Sequence, residues 1–156
     1  MGTRSTIALE FADGTVQQVY CHWDGYLDHN GKILAEHYND PFKLQKLIDL
    51  GDLSSLRPTI GVQHPFSSFQ LETKEERDAH EKLVEDMCTF YGRDRNESGT
   101  GAKKFKDYAD YVANHQYEEY EYILRNINGK AVWFVADHSD NYVALAEAFE
   151  AEKETA

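Results

Sequence analysis

Two stretches of the chain alternate between apolar and polar residues with a period of two, and each is interrupted by a turn dipeptide. Residues 3–11 and 15–23 flank Asp13-Gly14, and residues 117–127 and 130–137 flank Asn128-Gly129. Alternating runs on either side of Asp-Gly or Asn-Gly predict β-hairpins, because such pairs accept the positive φ angles of a tight turn. With Asp13-Gly14 as a two-residue turn, Ala12 faces Thr15, Ile7 faces Tyr20, Ser5 faces His22 and Arg4 faces Trp23. Side chains alternate across a strand, so Val19, Cys21 and Trp23 are expected in the core and Tyr20, His22 and Asp24 on the other face. In the second hairpin Leu124 is expected opposite Trp133, Tyr122 opposite Val135 and Ile123 opposite Phe134.

Between the hairpins the period changes to that of helices. Residues 29–38 place Ile33, Leu34, His37 and Tyr38 on one side. Asp40-Pro41 then opens a second helix, over 41–50, with an N-cap and a proline at the first helical position. Its stripe is Leu44, Leu47 and Ile48, and Gly51 ends it. Residues 52–70 are expected to be irregular, with a short strand near 59–63. Thr73-Lys74-Glu75-Glu76 has the form of a capping box, and the helix it begins is expected to bury Ala79, Leu83, Met87 and Tyr91. A loop over 92–102 leads to a helix over 103–114 with Phe105, Tyr108, Ala109 and Val112 inward. A last helix over 140–151 precedes a fraying tail at 152–156.

These elements predict an α+β domain spanning 1–156. Two hairpins, at about 3–23 and 117–137, merge into an antiparallel sheet with helices packed on one side. Composition agrees with a folded chain: of 156 residues, 41% are hydrophobic and 13% aromatic. Charge narrows the partners. The formal net charge is −12, and the deficit is even, with 7 basic and 12 acidic residues in 1–78 and 9 and 16 in 79–156. Direct nucleic-acid or anionic-membrane binding needs a cationic surface, so neither is expected. No apolar run approaches a membrane span. Met1-Gly2-Thr3-Arg4-Ser5 runs straight into a strand pattern, and two cysteines make no disulfide framework. A cytoplasmic protein is the expectation.

Reactive side chains are densest at Tyr20-Cys21-His22-Trp23-Asp24-Gly25-Tyr26. His22 and Asp24, two apart on one strand face, have the form of an acid–base pair and are the catalytic candidates. A core cysteine is a poor nucleophile, and a cation–π contact of Arg4 with Trp23 is a purely structural alternative for this run. The segment Tyr91-Gly92-Arg93-Asp94-Arg95-Asn96-Glu97 offers Arg93 and Arg95 as anion-binding forks. With Tyr20 and Glu97 they are the binding candidates. Gly99-Thr100-Gly101-Ala102-Lys103-Lys104 fails the phosphate-loop pattern. The seven histidines and two cysteines show no metal-ligand spacing, so no metal and no cofactor is expected.

Thr3-Arg4-Ser5, the Tyr20–Tyr26 run, Gly51-Asp52-Leu53-Ser54-Ser55-Leu56 and Tyr91–Glu97 together resemble a group of small proteins of bacteriophage, prophage and plasmid genomes, whose motifs carry no assigned chemistry. Typical members have Gly at the position of Asn96. If that position needs positive φ, Asn can supply it. The resemblance implies an accessory protein at home in the cytoplasm of a bacterial host. It leads to the expectation of a protein that binds a host protein, such as a defence or nucleic-acid-processing factor. A small enzyme or ligand-binding domain for a phosphorylated or nucleotide-like molecule, using His22, Asp24, Arg93 and Arg95, is the alternative. A homo-oligomer formed by edge-to-edge pairing of the hairpins is a weaker one.

Overall fold

A computed structural model describes residues 3–115, 118–137 and 141–155. The first hairpin is β1 (Ser5–Glu10) and β2 (Val16–Cys21). Its register differs by one residue from the expected one: Ser5 faces Cys21 and Ile7 faces Val19. The cause is the turn. Phe11 N–H donates to Thr15 O, Gly14 takes φ +92°, and Asp13 Oδ1 accepts from both Thr15 N–H and its hydroxyl. Three residues, Ala12 to Gly14, form the loop, with glycine at its left-handed position. The second hairpin, β6 (Tyr120–Ile127) and β7 (Lys130–Asp137), has the expected register, with Leu124 against Trp133 and positive φ at Asn128 and Gly129.

The two hairpins do not merge antiparallel. β1 and β6 lie side by side and run parallel, Ile7 beside Tyr122 and Leu9 beside Leu124. Alternation reads the same for either direction of a neighbour. The direction comes instead from the long excursion between β2 and β6, which returns the chain to the end from which β1 starts. Shorter strands extend the sheet on both sides. They are β3 (Leu53–Ser55), β4 (Thr89–Phe90), β5 (Lys103–Phe105) and β8 (Val143–Ala144). The order is β4-β3-β2-β1-β6-β7-β8, and β5 pairs with the first half of β2. The fold is α+β with a mixed eight-stranded sheet, and the path ends on strands of two residues.

Both faces of the sheet are covered. On one lie Ile7, Leu9, Val19, Cys21, Tyr122 and Leu124, packed against Leu34 of α1 (Lys32–His37), Leu44, Leu47 and Ile48 of α2 (Pro41–Asp49), and Leu145 of α6 (Leu145–Thr155). The other carries Ala8, Val16 and Ile123 under Phe105 and Tyr111, the latter from α5 (Tyr108–Asn114). Asp40 caps α2 through Phe42 N–H, as its sequence implies.

Other elements depart from expectation. The capped helix α3 (Lys74–Leu83) stops well before Tyr91, and the residue it buries is His80, while Leu83 is 43% exposed. Tyr91 begins a separate short helix, α4 (Tyr91–Arg95), closed by Asn96 at φ 56°. The 103–114 segment divides into β5 and α5, with Ala109 outward. Around 59–63 there is only a single bridge, Thr59 to Met87. The start expected at 140 for the last helix lies outside the described residues; α6 begins at Leu145 and continues to Thr155, into the stretch expected to fray. Among the described residues no helix is long and apolar enough to cross a membrane.

Candidate functional site

The chain leaves β2 along β3 rather than along β1. His22 N–H donates to Leu53 O and Trp23 N–H to Ser54 O. Trp23 therefore escapes the register that would set it against Arg4, and it is 43% exposed instead of belonging to the core. Its indole meets the His22 ring edge-on, centroids 4.6 Å apart. Asp24 then takes φ 57°, a left-handed conformation open to Asp at modest cost. Gly25 N–H returns to Thr3 O, and Gly25 O accepts from the Tyr122 hydroxyl at 2.7 Å. A Cβ at position 25 would sit 2.7 Å from Ser5 Cβ and 2.9 Å from Thr3 O, so only glycine fits against β1.

A five-residue π-turn, Leu27–Gly31, follows and leads into α1. Turns of this kind often occur at functional positions. Here it sends Asn30 inward and His29 outward. Asn30 is fully buried, and its Nδ2 donates to Ser5 Oγ, Cys21 Sγ and Trp23 O. With Nδ2 so committed, Oδ1 is the acceptor for His29 Nδ1, 2.9 Å away. That bond puts the His29 proton on Nδ1 and leaves Nε2 as an acceptor. Arg57 NH1 lies 3.4 Å from Nε2, and Asp24 Oδ2 lies 4.0 Å from it. Asp24, His29 and Arg57 thus form a polar triplet on a rigid base.

Asp24 and Arg57 also line a cleft of about 270 Å³ between the Trp23–Asp24 bend, β3 and α3. Trp23, Phe66, His80 and Glu81 line it too, with serine hydroxyls from β3 and from the Ser68–Gln70 turn region. Phe66 carries Arg95 over its ring, guanidinium carbon to centroid 5.1 Å. Phe69, the chain neighbour of the lining residue Ser68, is 93% exposed.

The residues singled out in the sequence meet different fates. Tyr20 and His22 bond to each other, hydroxyl to Nδ1 at 2.7 Å. Burial pushes the Tyr20 phenol up to about 12, so it keeps its proton. His22 and Asp24 do not form a pair: β2 ends before them, and Asp24 turns toward His29. Arg93 is spent inside the fold. Its guanidinium binds both oxygens of Asp94, at 3.0 and 3.2 Å, and the carbonyls of Ile60 and Cys88, and it lies over Phe90. Arg95 and Glu97 are exposed and face each other at 3.9 Å. Of these candidates only Asp24 lines the cleft.

His29, Asn30, Arg57, His64 and His80 carry most of the local polar structure, and sequence reasoning passed over all five. Asp94, fully buried as a side chain, accepts from His64 N–H and Phe90 N–H as well as from Arg93. His64 Nε2 is 3.0 Å from Cys88 O, and its Nδ1 is 2.8 Å from Pro65 O and 3.3 Å from His80 Nε2. The signal that could have drawn attention was the adjacency of Asp28-His29-Asn30 just after an Asp-Gly bend, which invites side-chain bonding back to the turn. Among the described residues no group of three or more His, Cys, Asp or Glu side chains could hold a metal ion. Comparison of the chain with family models, with curated proteins and with solved structures found no match.

Proposed function

We propose that this chain is an accessory protein that acts by binding another protein, with the surface around Trp23 as its recognition face. The observation that carries the reading is a large aromatic side chain left 43% exposed on a backbone fixed on both sides. Trp23 N–H is held by Ser54 O, and Trp23 O is held by Asn30 Nδ2 and Cys21 Sγ. Tryptophan and arginine are the residues most often found as energetic anchors of interfaces, and an anchor fixed in advance loses little entropy on binding. Arg57 lines the same cleft as Trp23, and Phe69, next in the chain to the lining residue Ser68, is a second exposed ring. The phage-type resemblance makes a protein of a bacterial host, such as a defence or nucleic-acid-processing factor, the partner we favour. The alternative of a phosphorylated small ligand needs Arg93 as a clamp, and that guanidinium is already engaged by Asp94 and two carbonyls.

The test is capture from host lysate over a concentration series, with Trp23→Ala as matched control. A saturable partner that is lost on Trp23→Ala, while the thermal midpoint is little changed, supports the proposal. No saturable partner, or full retention by the variant, counts against it.

A further inference from the structure

The lining of the cleft says what kind of group fits it. Two carboxylates, Asp24 and Glu81, and one guanidinium, Arg57, line it. Arg57 is partly satisfied already, since NH1 donates to Leu56 O at 2.9 Å and approaches His29 Nε2. Asp24 keeps 40% of its side chain exposed, and the His29 Nε2 that lies 4.0 Å from its Oδ2 is an acceptor that gives it no hydrogen bond. Among the described residues Glu81 accepts only a long bond from Ser68 Oγ, at 3.4 Å. The cleft therefore has spare carboxylate acceptor capacity within a chain of net charge −12.

A second observation is independent of these carboxylates. His80 lines the same cleft and is only 7% exposed. Its Nε2 faces Pro65 O, which puts the proton there and leaves Nδ1 as an acceptor. That Nδ1 is buried with no hydrogen-bond partner among the described residues. The apolar lining contributes Trp23 and Phe66, and Phe66 already has one guanidinium over its ring, that of Arg95. Aromatic faces attract guanidinium and ammonium groups. Missing donors, spare negative charge and aromatic rings all call for the same occupant, a cationic N–H donor.

We infer that the cleft seats an arginine or lysine side chain from a basic segment of the partner protein. The inference rests on the protein-binding reading above and adds the partner's chemistry to it. Asp24 and Glu81 bind the cation, and Trp23 and Phe66 pack against its stem. The backbone is suited to a clean test, because Asn tolerates the left-handed conformation of position 24.

The experiment titrates the full chain with a short, labelled, capped arginine peptide by fluorescence anisotropy. Its comparators are the citrulline analogue, which keeps the shape and loses the charge, a glutamate peptide, and free arginine. The arginine peptide should bind roughly tenfold or more tightly than each comparator, as charge-assisted contacts imply. Asp24→Asn with Glu81→Gln should weaken it by a similar factor, and added salt should weaken it further. Equal binding of the citrulline or glutamate peptide, or no effect of the double variant, overturns the inference. Free arginine binding as well as the peptide overturns the assignment to a protein segment in favour of a small cation. The captured partner separates the two proposals. If it is lost on Trp23→Ala yet kept by Asp24→Asn with Glu81→Gln, the basic-segment inference fails alone. If Trp23→Ala also has no effect, the recognition face fails with it.

Discussion

His29 Nδ1 lies 2.9 Å from Asn30 Oδ1, a bond between chain neighbours that turns one ring outward by fixing one amide inward. The amide is the more consequential partner. It ties the π-turn to β1 through Ser5, to β2 through Cys21 and to the bend through Trp23 O. Asn30→Ala removes the amide donor from Ser5 Oγ and Cys21 Sγ and leaves Trp23 O with the longer bond from the Cys21 thiol, and each stranded buried polar group costs about 1–3 kcal/mol. Loss of about 2–3 kcal/mol in urea unfolding is expected, with exchange of the Trp23 and Gly25 amides accelerating ahead of the rest of the sheet. Unchanged stability would mean that the three contacts carry no net energy.

Gly25 is expected to be as sensitive as any core position, although it lies in a bend. The space for a Cβ is already filled by Ser5 Cβ and Thr3 O, and neither can move without disturbing the edge of β1. Gly25→Ala should lower stability by about 1–3 kcal/mol, the range of overpacked sites. Gly14→Ala is the useful comparison, since nothing lies within 4 Å of a Cβ there and only its φ of +92° is at stake. Thermal melts of the two variants separate steric exclusion from backbone strain.

These two residues also show what the sequence could and could not convey. The second hairpin was legible down to its pairs because Asn128-Gly129 admits one turn type and both strands alternate cleanly. Asp13-Gly14 admits a two-residue or a three-residue loop. The choice fell to the Asp13 carboxylate gripping Thr15, and one residue of difference re-paired the strand. Parallel pairing of β1 with β6 left no trace in local pattern, since alternation does not encode the direction of a neighbour. Of the candidate site, Asp24 was found by its place at a strand end. Arg57, His80 and Glu81 reach the same cleft from two further elements, and no spacing rule connects them. Arg93 looked like an anion fork because a guanidinium beside an acid in a loop gives the same pattern whether it is solvated or buried.

Arg93 now makes a discriminating test. A ligand clamp would lose binding on substitution with little change in stability, whereas a buried strut would do the opposite. Its side chain is 12% exposed and Asp94 is fully buried, so Arg93→Ala strands a buried carboxylate, a loss of about 3–5 kcal/mol. Arg93→Lys should recover only part of that, because one ammonium cannot reach both Asp94 oxygens and the carbonyls of Ile60 and Cys88 together. Denaturant midpoints of the two variants, beside their capture of the partner at a temperature where both are folded, distinguish the roles.

Alkaline stability should depend on Cys21. Its thiol is fully buried between the sheet and Asn30, and burial pushes it from an ordinary 9.0 up to about 12. The folded chain therefore holds a proton that the unfolded chain releases once the pH passes about 9. Unfolding then liberates a proton, so stability is undiminished by this group below pH 9 and falls as the pH rises from about 9 toward 12. The Tyr20 phenol, raised from 10.0 to about 12 by burial, acts in the same direction over the upper part of that window. Cys21→Ala removes the thiol and with it that share of the slope, although the variant starts from a lower stability because a packed side chain is lost. The quantity to compare is the fall in urea midpoint between pH 8.5 and 11, and it should be smaller in Cys21→Ala than in the parent chain. Equal slopes would show that the thiol does not gain a proton preference on folding, and that β2 opens to water near Cys21 well before the sheet unfolds.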